Sequence, residues 1–248
     1  MSTDELEVTP AVITAVKQRR LAARQVNTPV QALVALASMQ NPPQPVLNTV
    51  TGGDDVTLIG QIRQANIYDP VTTALRYMRD GMDAIALFTD ANIYSKGMDD
   101  LTLLARGVNG PIIYQDYVLS EYHVAEARAA GASAVVAYAS YLEYPTLRRV
   151  ISATQRWRMT AILQVASADD LALADDLSPH VVAIGHEAWF DADDDLDLLA
   201  NLRGSIPAHT RVMSMGSIDR LHDLTAVIEI GVDGVIAGAP LLKNADQI

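Results

Sequence analysis

Few side chains in this sequence could carry chemistry, and they fall at or just beyond the ends of short apolar runs. Gln61, Gln115 and Gln164 are three of them. A carboxamide donates and accepts hydrogen bonds but does not titrate, so the three could form a neutral floor for a ligand or simply fill a polar opening. Arg63 stays protonated; it can clamp an anion or pair internally with Asp90 or Asp116, but it is a poor proton donor. His186 and Glu187 are adjacent and form the one candidate acid–base pair, since imidazole titrates near neutrality, although a loop histidine beside a glutamate also reads as solvated surface. With Asp116, the catalytic candidates are Arg63, Asp116, His186 and Glu187. Met213 and Met215, with Tyr114, Tyr117, Tyr138 and Tyr141, could line an apolar pocket or pack as core. The acidic run Asp191–Asp195 could attract a cation, but it precedes a helical pattern, where carboxylates cap free amides and complement the dipole.

Composition narrows the chemistry further. Lys and Arg number 18 against 30 Asp and Glu, a formal net charge of −12, which repels phosphate backbones and anionic bilayers, so neither nucleic acid nor membrane is an expected partner. The absence of cysteine excludes disulfides, thiolate metal sites and cysteine nucleophiles. The first nine residues lack a basic then apolar leader pattern, and no apolar run reaches the length of a membrane span, so a cytoplasmic location is expected.

The elements that must position these residues are periodic. Eight short apolar runs, Val56–Ile62, Ala84–Phe88, Ile112–Tyr114, Ala134–Tyr138, Thr160–Val165, Val181–Ile184, Arg211–Met213 and Gly234–Ala237, read as strands buried on both faces. Helical patterns alternate with them over Pro70–Asp80, Met98–Arg106, Glu121–Ala130, Tyr144–Arg158, Ala168–Leu177, Asp195–Leu202 and Ile218–Ile230. The strands start about 25 residues apart, the length of one βαβ step. Eight such steps predict an α/β fold, a single (β/α)8 TIM barrel over 56–248, preceded by a two-helix N-terminal extension over 1–45. The extension's helices span Pro10–Arg24 and Pro29–Met39, with Thr28 as the expected cap of the second, and they read as a lid or a bottom cover.

Taken in strand-end order, the sequence resembles the indole-3-glycerol phosphate synthase family over nearly its whole length. The best segments are Thr57–Arg63, Pro111–Tyr117, Glu126–Ala132 and Gly231–Gly238. The resemblance implies ring closure, decarboxylation and dehydration of an anilino-deoxyribulose phosphate, a lyase step of tryptophan biosynthesis, without metal or organic cofactor. It also implies acids and bases that this sequence lacks. Gln61 stands for the family's strand-1 glutamate, Arg63 for its lysine, and Gln115 for the strand-3 lysine that is its main general acid. Gln164 replaces the strand-5 glutamate, Gly185-His186-Glu187 the Asn-x-Arg grip, and Ser214-Met215-Gly216 the Glu-Ser-Gly run. The phosphate-approaching glycines persist as Gly216 and Gly238, though Ala239 replaces the following serine. The ligand-binding candidates are therefore Gln61, Arg63, Gln115, Gln164, Ser214, Gly216 and Gly238.

Two functions follow from these replacements. One is a pseudoenzyme barrel that has lost synthase activity and binds a small phosphorylated or aromatic ligand, or a partner. The other is an active enzyme, a weak synthase or a changed lyase or isomerase at the same barrel mouth, using Arg63, Asp116 and His186-Glu187. Only ten residues follow Gly238, which leads to the expectation of a homodimer covering that end of the barrel.

Overall fold

In the computed structural model, which describes residues 10–47, 56–62, 69–90, 95–185, 195–218 and 221–237, eight parallel strands close into a barrel in chain order. They are β1 (Thr57–Ile62), β2 (Ala84–Phe88), β3 (Ile112–Gln115), β4 (Ala134–Tyr138), β5 (Thr160–Val165), β6 (Val181–Ile184), β7 (Arg211–Ile218) and β8 (Gly234–Ala237), with β8 pairing back onto β1. Alternate residues of each strand fill the barrel or meet the helices, so both faces are dry. The inner cluster holds Ile59, Ile113, Ile162 and Met213, and the outer one Leu87, Tyr114, Val135, Leu163 and Val182.

The connecting helices are α3 (Pro70–Arg79), α4 (Gly97–Gly107), α5 (Glu121–Ala130), α6 (Tyr144–Arg156), α7 (Ala168–Ala172), α8 (Ala174–Leu177), α9 (Asp195–Arg203) and α10 (Leu221–Ile230). Two expectations need correction. The single helix over Ala168–Leu177 is two, because the Leu173 amide bonds back only three residues to the Asp170 carbonyl and tightens the chain there. Ile218 ends β7 rather than opening a helix, its backbone pairing with Ala237 across a register shift between Ser214 and Ile218.

The extension is α1 (Pro10–Asn27) and α2 (Val30–Met39). Thr28 does not cap α2. Pro29 holds the cap position in extended conformation (φ −58°, ψ 145°), so the helix starts one residue late and without a side-chain cap. The lid and bottom-cover readings each describe a part of this segment. α1 crosses the mouth, touching the 3-10 turn Ala139–Tyr141 that follows β4; α2 packs along α5; and Val46 and Leu47 reach the barrel's lower end, where Leu47 meets Gly234.

Gly97, the first residue of α4, fixes how closely that helix approaches the strand ends. A Cβ there would lie 2.4 Å from the Thr89 carbonyl oxygen and 2.5 Å from its Cα, and backbone cannot swing aside as a side chain can. Gly97→Ala is expected to cost about 1–3 kcal/mol, read as a lower urea midpoint with an unchanged m-value.

Candidate functional site

The mouth of the barrel has a neutral floor. Two residues beyond the inward-facing Ile59, Ile113, Ile162 and Met213, the period of a strand places Gln61, Gln115, Gln164 and Met215, a layer drawn from the odd-numbered strands. All four are buried. Gln61 Nε2 donates to Gln115 Oε1 at 3.0 Å, and Gln115 Nε2 lies 3.9 Å from Met215 Sδ. Gln164 Nε2 donates to the Gly185 carbonyl, while its Oε1 is buried with no partner.

Charge enters above this floor, from outside the barrel. Lys17, on α1 and only 5% exposed, places its Nζ between two buried carboxylates, 2.9 Å from Asp90 Oδ2 and bonded to Asp116 Oδ1. Asp90 follows β2 and Asp116 follows β3, so the ammonium bridges adjacent strand ends. Asp116 is further bound by its neighbours: Thr89 Oγ1 and the Tyr114 hydroxyl donate to Oδ2 at 3.1 and 3.0 Å, and the Tyr117 amide donates to Oδ1 at 2.7 Å. The Tyr117 ring centroid is 5.7 Å from the ammonium, and Tyr117 continues into an aromatic cluster with Phe88, Tyr138 and Tyr141 at centroid separations of 4.8–5.9 Å. Farther along, α1 is tied to α5 by the Arg24–Glu126 ion pair, and the Tyr122 hydroxyl donates to the Thr28 carbonyl at 2.8 Å.

The environment shifts two groups around this cluster. Burial, and then the charge of Asp116, hold the Tyr114 phenol well above its ordinary value of 10, so it remains the donor to Asp116. His123, on the first turn of α5, is fully buried; its Nδ1 lies 3.1 Å from Ser120 Oγ and its Nε2 has no partner. Burial first, then the charges of Lys17 and Arg24, push its imidazole down to about 3, against the opposing pull of Asp90.

Of the residues expected at the mouth, Gln61 and Gln115 are hydrogen-bonded and Gln164 shares their layer, while Asp116 bonds Lys17, Thr89 and Tyr114 at the end of β3. Asp116 pairs with Lys17, while Arg63, expected beside Asp90 or Asp116, lies outside the described residues together with His186, Glu187 and Gly238. Ser214 does not face the mouth: it alternates with the inward Met213 and Met215 and sits, buried, on the helix side of β7. Gly216 lies in the stretch of β7 where the pairing slips. Lys17, which is not among the residues expected at the mouth, belongs to it as well. Its signal in the sequence is its place between the apolar Ile13 and Leu21 at helical spacing. A cavity of about 510 Å³ opens at the other end of the barrel, where His180 Nδ1 accepts the Ala161 amide at 2.9 Å.

The family model described as indole-3-glycerol phosphate synthase matches residues 12–248. The chain belongs to the indole-3-glycerol phosphate synthase family. The enzyme of that name from Kineococcus radiotolerans is 26% identical over 238 residues, covering 91% of this chain and 87% of its relative. That from Leifsonia xyli is 25% identical over 231 residues, covering 90% and 89%. A solved N-acetylmannosamine-6-phosphate 2-epimerase from Clostridium perfringens superposes with a TM-score of 0.60 at 14% identity, over 75% of this chain and 87% of that one, a likeness of fold alone. Within the synthase family, then, this member keeps the barrel while its described mouth has amides on the strands and an ammonium brought in by α1. Among the described residues no group of three or more His, Asp or Glu could hold a metal, and no helix is long and apolar enough to cross a membrane.

A buried neutral histidine makes this barrel's stability pH-dependent. The unfolded chain takes up the His123 proton near pH 6.5, the folded one only near 3, so stability falls as pH drops through that window, by up to about 1.4 kcal/mol per pH unit. Urea titrations between pH 4 and 7 should show the slope, and His123→Leu should flatten it.

Proposed function

We propose that this synthase-family barrel binds a small ligand at its mouth and does not carry out the synthase reaction. The observation that carries the reading is the neutral layer of Gln61, Gln115, Gln164 and Met215. Ring closure, decarboxylation and dehydration each need a proton delivered or removed at the substrate, and neither carboxamide nor thioether titrates. The floor instead offers hydrogen bonds, and beside it the Phe88, Tyr117, Tyr138 and Tyr141 rings offer a face for an apolar or aromatic group.

The second reading, an active enzyme with a changed reaction, is favoured by one observation: Lys17 brings an ammonium to the ends of β2 and β3. Its partners argue against free proton traffic, because Asp116 already receives the Tyr114 and Thr89 hydroxyls and the Tyr117 amide. An acid or base that must first break a buried ion pair starts from a costly state.

A fluorescence assay for indole-3-glycerol phosphate formation, run alongside calorimetry with the same anilino-deoxyribulose phosphate, separates these readings. The expected result is turnover at least about 10²–10⁴-fold below that of a relative with its acid and base groups in place. Turnover within tenfold of such a relative would overturn the proposal, and binding heat without turnover would place the ligand at a mouth that no longer does this chemistry.

A further inference from the structure

Two neighbouring helices on the outside of the barrel carry opposite charge. From Tyr144 to Arg158, α6 and the residues that end it hold Arg148, Arg149, Arg156 and Arg158 and no acid; from Ala168 to Leu177, α7 and α8 hold Asp169, Asp170, Asp175 and Asp176 and no base. The two strips lie side by side, since Gln155 Nε2 of α6 donates at 2.8 Å to the carbonyl of Ser178, which ends α8. By contrast α4, α5 and α9 each mix both signs.

Both strips face outward. The inner side of α6 is Leu147, Val150, Ile151 and Ala153, and the four arginines are exposed; so are Asp169, Asp175 and Asp176, while Asp170 accepts the Ala166 amide. Internal partners take up little of the positive charge. Arg156 meets Glu121 at 3.5 Å in an exposed contact, Arg149 donates to the Thr146 hydroxyl at 2.8 Å, and among the described residues the Arg148 and Arg158 side chains have no hydrogen-bond or ion-pair partner. Arg158 takes left-handed backbone, φ 58°, at a helix end where glycine is the usual residue, so this cation is kept against the preference of its own backbone. The helix dipole favours the aspartates in their first turns and Arg156 in its last, but not Arg148 and Arg149 within α6.

A chain of net charge −12 repels its own copies in most orientations. A two-fold axis parallel to these helices and midway between them is an exception, because it sets α6 of each copy on α7–α8 of the other, twice over. A two-fold axis across the helices would instead set arginine on arginine. The spacing fits the first arrangement: at roughly 1.5 Å per residue, Arg148 and Arg156 are about 12 Å apart along the helix, and Asp169 and Asp175 about 9 Å. We infer that this protein pairs with a second copy of itself through α6 and α7–α8, held by reciprocal arginine–aspartate contacts. Two helices about 20 Å long and about 10 Å apart present about 400 Å² per partner, half of what a stable complex buries, so the dimer is weak and governed by ionic strength. It is independent of what the mouth binds.

Sedimentation equilibrium at about 100 μM should give a mass approaching twice 26.7 kDa in about 20 mM salt and close to 26.7 kDa in about 500 mM. Arg148→Glu/Arg149→Glu and Asp175→Lys/Asp176→Lys, each alone, should stay monomeric at low salt. An equimolar mixture of the two should dimerise again, because the acidic α6 then meets the basic α8 while the unaltered strips still meet each other. A low-salt monomer of the unaltered protein, or a dimer indifferent to salt, overturns the inference. A charge-reversed variant that dimerises as well as the unaltered chain does so too, as does a mixture that stays monomeric, since the two faces then do not meet. If α8 does not tolerate lysines, Arg148→Gln/Arg149→Gln decides: it should weaken the low-salt dimer at least about tenfold, and an unchanged dissociation constant overturns the inference.

Discussion

Two carboxylates sit dry at neighbouring strand ends because an ammonium from outside the barrel lies between them. Desolvating Asp90 and Asp116 without a cation would cost several kcal/mol per ion, and removing one partner of such a cluster typically costs about 3–5 kcal/mol. Much else follows from this constraint. It fixes where α1 must lie and brings its Ile13 onto the barrel's inner cluster. It also sets the field in which His123 stays neutral, since the charges of Lys17 and Arg24 both disfavour a further proton.

Below that cluster the barrel is organised by packing alone. Glutamine is close in size to glutamate and lysine, so the top layer can be filled by amides without disturbing the layer of Ile59, Ile113, Ile162 and Met213 beneath it. The mouth and the body are thus separable: one sets what can bind and react, the other keeps the strands in register. The match of the family model over residues 12–248 at about a quarter sequence identity to named synthases is what this separation produces.

How much the sequence discloses tracks the range of the interactions involved. β2, β4, β6 and β8 are apolar on both faces, and their bounds, like those of β5, follow from composition. β7 is longer than its apolar run because Ser214 and Gly216 interrupt the pattern while the backbone continues to pair. The glutamine layer was legible because a strand's period of two fixes which residues share a face. The same rule, applied to β7, separates Ser214 from Met213 and Met215. Lys17 was not legible as a mouth residue, since its partners lie 73 and 99 positions away and no local pattern encodes such a distance. Its place inside the apolar stripe of α1 marked it as unusual without saying what it meets.

The extension wraps one flank of the barrel: α1 above the mouth, α2 against α5, Gln44 bonded to Ser133, and Leu47 beneath. Leu47 aside, these contacts fall within the first 141 residues, including every carboxylate that Lys17 meets. Chains emerge from the ribosome N-terminus first, at about 5–20 residues per second. The ammonium and its two carboxylates are all available to one another before the strand bearing Gln164 has been made. A half-built barrel can therefore set Asp90 and Asp116 against the Lys17 ammonium within itself, without waiting for the remaining strands to complete the ring.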